Sequence, residues 1–228
     1  MYDGFIVVVA ARDEEAYLPA TLDALLGLSS LSGIYVADDG SRDATSRVAR
    51  AAGAEVVRLA SPEGKGAALR AGILAARGRG PSQRALLLAD ADLGPSAAQL
   101  GSLLDALDED HPASVAVFPK GVAAGGFGLV KELSRRAIAR RSGFAPLEPL
   151  SGQRALLPAA LDTLPGLAPG FGAEVGITLD LLSAGIRPLE VPLSLTHRAT
   201  GKSLRGFAHR ARQGLDVLRA LRGDRVPW

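Results

Sequence analysis

The sequence predicts an α/β fold in which helices flank a mostly parallel sheet. Three observations support this prediction. Apolar, β-branched runs alternate with segments of helical apolar spacing through the first half of the chain. The segments between these runs are about a dozen residues long, which suits right-handed crossovers between parallel strands. A length of 228 residues is also sufficient for a single domain with a sizeable core.

The predicted strands are short apolar runs. The first is apolar at every position from Phe5 to Ala10, which is typical of a strand buried on both faces. The last contains Pro192, which cannot donate a backbone hydrogen bond and therefore favours a sheet edge. The strands are predicted over residues 5–10, 34–37, 55–59, 85–89, 114–118 and 188–195.

The predicted helices carry apolar residues three or four positions apart. Gly27 and Gly53 end the first two, Ser41 or Asp43 caps the second, and Pro95 fits the first turn of the fourth. Residues 142–170 are rich in proline and glycine and are predicted to be irregular. The helices are predicted over residues 18–26, 43–52, 66–76, 95–107, 131–141 and 174–184, with a basic amphipathic helix within 201–228.

The two halves of the chain differ in the sign of their net charge. Residues 1–115 carry 16 acidic and 10 basic side chains, whereas residues 116–228 carry 8 acidic and 16 basic ones. Such segregation indicates an anionic partner held where the two parts meet. We expect one domain over residues 1–200, with 1–115 and 116–200 as its two functional halves, followed by the helix in 201–228.

Several functional classes are excluded by composition. The chain has no cysteine, so it has no disulfide, no cysteine-ligated zinc and no thiol nucleophile. It lacks a signal-peptide pattern and any stretch of about 18 apolar residues, as a membrane span would need. Basic helices without interleaved aromatic residues do not indicate nucleic-acid binding. We therefore expect a cytoplasmic protein with no nucleic-acid partner, and its oligomeric state stays open.

Acidic segments follow three of the predicted strands, at 13–15, 38–39 and 90–92. Ligands of open parallel sheets bind beyond the carboxyl ends of the strands, so these segments should converge. Converging carboxylates repel one another, which favours a bound cation, and oxygen ligands favour Mg²⁺ or Mn²⁺. Asp90 and Asp92 point the same way in an extended chain and can reach one metal ion. The alternative for each segment alone is a solvated turn or a helix cap.

Gly64-Lys65-Gly66 opens the third predicted helix. A helix N-terminus beside a lysine favours a phosphate group. The alternative is a flexible entry to the helix.

These segments, in this order, resemble the motifs of family 2 glycosyltransferases. Residues 7–15 (VVVAARDEE) resemble the opening V-x-x-P-x-x-N-E-E, and residues 36–45 (VADDGSRDAT) resemble V-D-D-G-S-x-D-x-T. Residues 64–72 and 89–92 complete the nucleotide-sugar half, with spacing similar to that in dolichyl- and polyprenyl-phosphate sugar transferases. The sequence departs from the family at Ala10, where proline is usual, and at Asp13, where asparagine is usual.

The resemblance implies a Rossmann-like GT-A fold and a set of donor-binding residues in the first half. The residues implied to bind the nucleotide-sugar are Ala10, Glu14, Asp38, Asp39, Lys65, Asp90 and Ala91. Asp90 and Asp92 would form the metal-binding D-x-D, with Asp92 also catalytic. Gly94 stands where polyprenyl-phosphate mannose synthases often have a metal-binding glutamine, so His197 is a candidate third ligand; its alternative is a structural role.

The second half resembles the acceptor side of the same family. Residues 151–154 (SGQR) resemble its acceptor loop, and residues 171–174 (FGAE) its acidic segment. Residues 190–192 and 197–203 resemble its closing motif. Glu174 is our candidate general base and Arg154 a further catalytic residue. The candidate acceptor or phosphate contacts are Lys120, Arg135, Gln153, Arg154 and Arg198.

The resemblance therefore implies a metal-dependent enzyme that moves a sugar from a UDP- or GDP-sugar to an anionic, phosphate-bearing acceptor. Polyprenyl phosphate is the first expectation for that acceptor. The alternatives are a soluble acceptor such as a phosphoglycerate or a sugar, and a sugar-phosphate nucleotidyltransferase.

The C-terminal residues leave two interpretations open. Residues 198–228 have a net charge of +6, and a Leu/Phe stripe runs beside an arginine stripe. Such a helix suits peripheral contact with the anionic inner face of a membrane. A helix that packs its apolar stripe on the domain has the same pattern.

Overall fold

The computed structural model describes residues 2–78, 83–118, 128–196 and 214–228. Its strands are β1 (Phe5–Ala11), β2 (Leu31–Asp38), β3 (Glu55–Arg58), β4 (Ala85–Asp90), β5 (Ala113–Val117), β6 (Arg154–Leu156), β7 (Gly166–Leu167), β8 (Leu189–Pro192) and β9 (Val226–Pro227). Its helices are α1 (Leu18–Leu26), α2 (Thr45–Ala51), α3 (Lys65–Arg77), α4 (Gly101–Asp105), α5 (Gly128–Ser142), α6 (Pro158–Leu161), α7 (Ala173–Ser183) and, over residues 214–222, α8. Two 3₁₀ helices lie at Gly94–Leu100 and Gly170–Gly172.

Seven strands form the main sheet in the order β3-β2-β1-β4-β6-β5-β8. Among the described strands of this sheet, β6 alone runs antiparallel to its neighbours, β4 and β5. The carboxyl ends of β1, β2 and β4 therefore lie at one edge, as the sequence predicts. β8 is an edge strand, which confirms the expectation from Pro192.

Alternating side chains of the central strands build two cores, one on each face of the sheet. On one face, Val7 and Val9 pack with leucines of α1 and of the 94–105 segment. On the other face, Ile6 and Val8 pack with apolar residues of α3 and α7. This three-layer arrangement explains why β1 is apolar at every position: both faces of the strand are covered.

The structure differs from the sequence prediction in residues 94–105. A single helix was expected over 95–107, but a 3₁₀ helix leads into the five-residue α4. Gly94 has a positive φ of 54°, and Gly101 lies at the junction of the two helices. The glycine at each start removes the side chain that would favour one continuous α-helix.

The segment 142–170, predicted to be irregular, contains two short strands. β6 has three residues and inserts between β4 and β5, and β7 has two residues that pair with β9. Strands of two or three residues carry almost no periodic signal, because an alternating pattern is recognisable only over about four or more residues.

The C-terminal segment also differs from the expected single helix. Residues 201–213 lie outside the described residues, and α8 ends before Gly223, whose φ is 91°. The chain then turns back, and Val226–Pro227 forms β9. α8 buries Val217 and Ala220 against α5 and α7, whereas Leu215 and Leu218 of the predicted apolar stripe are exposed. Within the described ranges, no helix is long and apolar enough to cross a membrane.

Candidate active site

The acidic segments meet at the carboxyl edge of the sheet because three strands end in register there. Ala10 of β1 lies opposite Ala37 of β2 on one side and opposite Asp90 of β4 on the other. Ala11 lies opposite Asp38. The sheet therefore brings the predicted donor-binding positions 10, 38 and 90 side by side.

The loop after β1 is joined to the loop after β2 by reciprocal hydrogen bonds. The Asp13 carboxylate accepts from the Arg42 N–H at 2.7 Å, and the Glu15 carboxylate accepts from the Ala44 N–H at 2.7 Å. In the other direction, the Glu14 N–H donates to the Thr45 hydroxyl at 2.8 Å. Two acidic loops therefore act as one unit, with the Glu14 side chain half-buried beside them.

Asp38 is fully buried inside this unit. One carboxylate oxygen accepts from the Ser41 N–H at 2.8 Å, and the other accepts from the Ser46 hydroxyl. Burial by itself would raise the pKa of Asp38, but these hydrogen bonds and the Arg58 guanidinium outweigh it, so the pKa is lowered. The Asp38 carboxylate therefore stabilises the loop after β2 and is not exposed at the edge of the sheet.

Asp39 connects the loop after β2 to the start of α3. Its carboxylate accepts from the Glu63 N–H at 2.7 Å and from the Gly64 N–H at 3.0 Å. Because α3 begins at Lys65, Asp39 fixes the segment from which the Lys65 side chain extends.

Lys65 is at the centre of the site. Its Nζ lies 2.6 Å from Oδ1 of Asp90 and 2.7 Å from Oε1 of Glu174. Burial by itself would lower the pKa of Lys65, but the two carboxylates outweigh it and the pKa is raised. The ammonium group therefore stays charged at physiological pH and neutralises carboxylates from β4 and α7.

The loop before β6 completes this arrangement. Gln153 is buried and donates from Nε2 to Oδ2 of Asp90 at 2.6 Å. A Cβ atom on Gly152 would lie 2.5 Å from Nζ of Lys65 and 3.1 Å from Oδ1 of Asp90. A side chain at residue 152 would therefore displace the Lys65 ammonium group from its place beside Asp90.

Arg154 is buried behind the site, with 2% of its surface exposed. It donates from Nε to the Ser151 carbonyl at 3.0 Å and from Nη1 to the Thr178 hydroxyl at 2.8 Å. Burial lowers the pKa of Arg154 to about 10, and the nearby Glu174 carboxylate opposes that shift. This position favours a role in holding the acceptor loop against α7 over the direct acceptor contact expected from the sequence.

Thr21 of α1 holds the turn that carries Asp92, a feature that the sequence analysis missed. The buried Thr21 hydroxyl donates to the Ala91 carbonyl at 2.8 Å and accepts from the Gly94 N–H at 2.8 Å. Asp92, which is half-buried, lies between Ala91 and Gly94 in the chain. Thr21 appeared only as a polar residue in an amphipathic helix, so its sequence carried no signal of this role.

The donor atoms at this edge are chemically suited to a divalent cation. The carboxylates of Asp90 and Asp92 offer the hard oxygen ligands that Mg²⁺ and Mn²⁺ prefer. No cluster of three or more metal-ligating side chains occurs in the part of the chain that the structure describes. His197, the predicted third ligand, lies outside that part. The chemistry of these two carboxylates fits a divalent cation, and the structure places Asp90 beside Lys65 and Gln153.

Three predicted acceptor contacts remain, and of these Arg135 lies within the described ranges. Lys120 and Arg198 lie outside the described ranges. Arg135 on α5 donates from Nε and Nη2 to the two Glu132 oxygens, at 2.8 and 2.9 Å. This fork fixes the Arg135 guanidinium on its own helix.

Comparison with known proteins identifies the family. The model of Glycosyl transferase family 2 matches residues 6–152. The chain belongs to this family. The match includes all three acidic segments, Lys65 and the loop up to Gly152, and it confirms that the protein is a glycosyltransferase.

Solved structures of one enzyme resemble the whole chain. Glucosyl-3-phosphoglycerate synthase from Mycobacterium tuberculosis, in complex with Mn²⁺, UDP and glucosyl-3-phosphoglycerate, is 26% identical with a TM-score of 0.75. That match covers 99% of this chain and 87% of the other. The same enzyme with Mn²⁺, UDP-glucose and phosphoglyceric acid is 27% identical with a TM-score of 0.74, over 96% and 80% of the two chains. The comparison with curated proteins found no match.

These matches confirm the predicted α/β, GT-A architecture with its mostly parallel seven-stranded sheet. They also extend beyond the first half, to which the strongest sequence motifs are confined. The protein is a family 2 enzyme that uses a nucleotide-sugar.

Proposed function

We propose that this glycosyltransferase moves a hexosyl group from a UDP-sugar to a small, anionic acceptor of the phosphoglycerate type. The observation that carries the proposal is the convergence of Asp90, Lys65 and Glu174 beside the Asp92 turn, at the edge where three parallel strands end. The likeness to an enzyme solved with UDP-glucose and phosphoglyceric acid supports the choice of both substrates.

The chemistry requires charge stabilisation at the donor. Transfer breaks the bond between the sugar carbon and a diphosphate oxygen, so negative charge grows on the departing nucleoside diphosphate. Asp90 and Asp92 would hold the divalent cation, which supplies stabilisation of that charge when bound. The Lys65 ammonium, kept charged by its two carboxylate partners, adds a second positive group at the same edge.

The acceptor contributes an oxygen that must be positioned and, if it is a hydroxyl, deprotonated. Glu174 is our candidate to accept that proton, since it begins the α7 helix directly beside Lys65. Gln153 holds the Asp90 carboxylate, and the buried Arg154 fixes the acceptor loop from behind. Both residues therefore act by positioning other groups.

The similar solved structures favour the soluble acceptor over polyprenyl phosphate. They include complexes with phosphoglyceric acid and with its glucosylated product. The described part of the C-terminal helix packs Val217 and Ala220 on the domain, whereas Leu215 and Leu218 are exposed. This helix agrees with both interpretations, so the choice of acceptor rests on the similar structures.

A transfer assay tests the proposal. The purified protein would be incubated with Mn²⁺ or Mg²⁺, a panel of UDP- and GDP-hexoses, and either 3-phosphoglycerate or a polyprenyl phosphate. We expect transfer from a UDP-hexose to the phosphoglycerate. Asp92→Asn should lower the rate by about 100-fold or more, since the carboxylate that would hold the cation beside the leaving group is lost.

The matched control is Asp23→Asn, which changes an exposed aspartate on α1, whereas Thr21, the residue of α1 that contacts the Asp92 turn, is buried. It should transfer at the wild-type rate. Transfer to polyprenyl phosphate but not to phosphoglycerate would refute the proposed acceptor. Full activity of Asp92→Asn would refute the assigned site.

A further inference from the structure

The C-terminal residues 214–228, here called the C-terminal strap, lie against the helices that carry Lys65 and Glu174. The first contact is made by Asp216, which is buried. A Cβ atom on Gly170 would lie 2.0 Å from Oδ2 of Asp216, and one on Gly172 would lie 2.5 Å from its carbonyl oxygen. Helix α8 therefore packs directly on the turn that leads into α7.

The same turn packs on the start of α3. A Cβ atom on Gly66 would lie 2.2 Å from the Ala168 carbonyl oxygen and 3.0 Å from the Gly170 nitrogen. The strap, the 168–172 turn and the first turn of α3 thus form successive layers, and the Asp216 side chain lies between the first two. Lys65 directly precedes Gly66, and Glu174 lies two residues after Gly172. Both residues of the Lys65–Glu174 ion pair therefore lie next to these packed segments.

A second contact joins the strap to the middle of α7. Arg225 donates from Nε and Nη2 to the two Asp180 oxygens at 2.6 and 2.8 Å, and also to the Gly176 carbonyl at 3.3 Å. Its side chain is only 9% exposed. A forked, nearly buried arginine–carboxylate pair fixes both position and orientation, unlike a surface ion pair.

A third set of contacts joins the strap to α3 itself. The Pro227 carbonyl accepts from Nε of Arg70 at 2.5 Å, and the Arg77 guanidinium lies 5.7 Å from the centre of the Trp228 ring. Trp228 also donates from Nε1 to the Leu164 carbonyl at 2.6 Å. The fifteen residues of the strap therefore connect α7 to α3.

We propose that Arg225 is a positioning residue that, through Asp180 and the C-terminal strap, keeps Glu174 on α7 within ion-pair distance of Lys65 on α3. The inference rests on the proposed function in that the Lys65–Glu174 pair belongs to the active site. It goes further because it assigns a part in catalysis to a segment remote from the substrates. When the fork is lost, α7 shifts relative to α3 and the ammonium group of Lys65 becomes more accessible.

The four lysines of the chain make this shift measurable without any substrate. They are Lys65, Lys120, Lys131 and Lys202. Reductive methylation followed by peptide mass mapping gives the modification rate of each one. Lys131 is the internal control, because its carboxylate partner is Glu148 and not a residue of α7.

Wild type would be compared with Arg225→Met, Arg225→Lys and Arg222→Met. Arg222 is an exposed residue on α8 and serves as the matched control. We expect Arg225→Met to raise the methylation rate of Lys65 severalfold and to leave that of Lys131 unchanged. Its kcat should fall about tenfold with little change in the donor KM, since a small displacement of catalytic groups has effects of this order. Arg225→Lys should recover part of the loss, and Arg222→Met should match wild type.

An unchanged Lys65 rate in Arg225→Met would overturn the proposal. Equal acceleration at Lys65 and Lys131 would also overturn it, because that result signals general loosening of the fold. Asp180→Asn, which breaks the same fork from α7, replaces Arg225→Met if the latter does not fold. Absence of transfer by wild type with every donor would refute the proposed function, whereas the methylation rates would still decide the positioning role.

Discussion

At the scale of single residues, the candidate site depends on the Lys65 ammonium group and on the space around it. Lys65 neutralises Asp90 and Glu174, which come from β4 and α7, and Gln153 holds the other oxygen of Asp90. Carboxylates this close together would repel one another without the ammonium group. Small changes in this space should therefore have large effects on activity.

Gly152→Ala tests the space directly. The added methyl group would meet Nζ of Lys65 at 2.5 Å, so the ammonium group must move away from Asp90. We expect the transfer rate to fall by about tenfold to 100-fold while the protein stays folded, as for other small displacements of reacting groups. Steady-state kinetics and circular dichroism measure the two effects.

The matched control is Gly33→Ala in β2, where an added Cβ would have nothing within 4 Å. This variant should retain wild-type kinetics. An active Gly152→Ala enzyme would show that the Lys65–Asp90 contact is dispensable for transfer.

Asp38 gives a prediction about acid stability. Its folded-state pKa lies below its usual value of 3.8 because the Ser41 and Ser46 hydrogen bonds, helped by Arg58, outweigh its burial. The charged carboxylate therefore stabilises the fold at pH values above the usual pKa, and this contribution is lost as the pH falls through the lowered pKa. Urea unfolding of wild type and Asp38→Asn should show a stability difference that is largest near neutral pH.

That difference should narrow progressively below about pH 4, where the carboxylate of the unfolded chain is protonated. Asp23→Asn, at an exposed position on α1, should follow the wild-type curve throughout. A gap between wild type and Asp38→Asn that stays constant down to pH 2 would contradict the prediction.

At the scale of elements, a helix and a strand outside the strand-end loops position the turns of the candidate site. α1 holds the Asp92 turn through Thr21, and β6 presents the acceptor loop because it inserts between β4 and β5. α1 contributes no side chain that a sequence motif marks as catalytic, and the one that β6 contributes, Arg154, is buried. Their role follows from the order of strands in the sheet.

We expect Thr21→Val to lower both the stability of the fold and its affinity for the donor, although no motif residue is changed. Valine has nearly the same shape as threonine but leaves the Ala91 carbonyl and the Gly94 N–H without their buried partner. The loss should cost about 1–3 kcal/mol of unfolding free energy. The affinity for a nucleotide-sugar with Mn²⁺ should also fall severalfold, because the Asp92 turn is no longer fixed.

The control is Thr163→Val, which removes a hydroxyl that donates to the Ala160 carbonyl at 2.7 Å. This variant should keep full donor affinity, measured by isothermal titration calorimetry. Unchanged stability and affinity in Thr21→Val would show that the turn is held by other contacts.

At the scale of the whole molecule, the charge division along the chain acquires a spatial meaning. The acidic half supplies the three strand-end segments, and the basic half supplies the acceptor loop, α7 and the C-terminal strap. The two halves meet where Lys65 contacts Glu174. The sheet is continuous across both, since β6, β5 and β8 extend the edge of β4.

The proposed donor site lies at this junction, so we expect a bound donor to stabilise the whole fold. UDP with Mn²⁺ at about 100 times its dissociation constant should add about 2.7 kcal/mol of stability by mass action. For a domain of this size, that corresponds to a rise in Tm of about 5–10 °C in a thermal-shift assay. Asp92→Asn should lose the part of the shift that depends on Mn²⁺, whereas Asp23→Asn should keep it. A shift that is independent of Mn²⁺ in wild type would argue against a metal-bridged donor.

The sequence by itself determined the parallel sheet, the strand ends with their acidic segments, and the family. β1 is apolar at every position and the strand-ending motifs are contiguous in the chain, so local pattern was sufficient. The tertiary structure alone decided that Arg154 is buried, that Gly152 makes room for Lys65, and that Thr21 fixes the Asp92 turn. It also decided that the chain ends in a strap rather than in one continuous helix. Each of these features depends on groups that are close in space but distant in sequence, and a one-dimensional pattern carries no record of such distances.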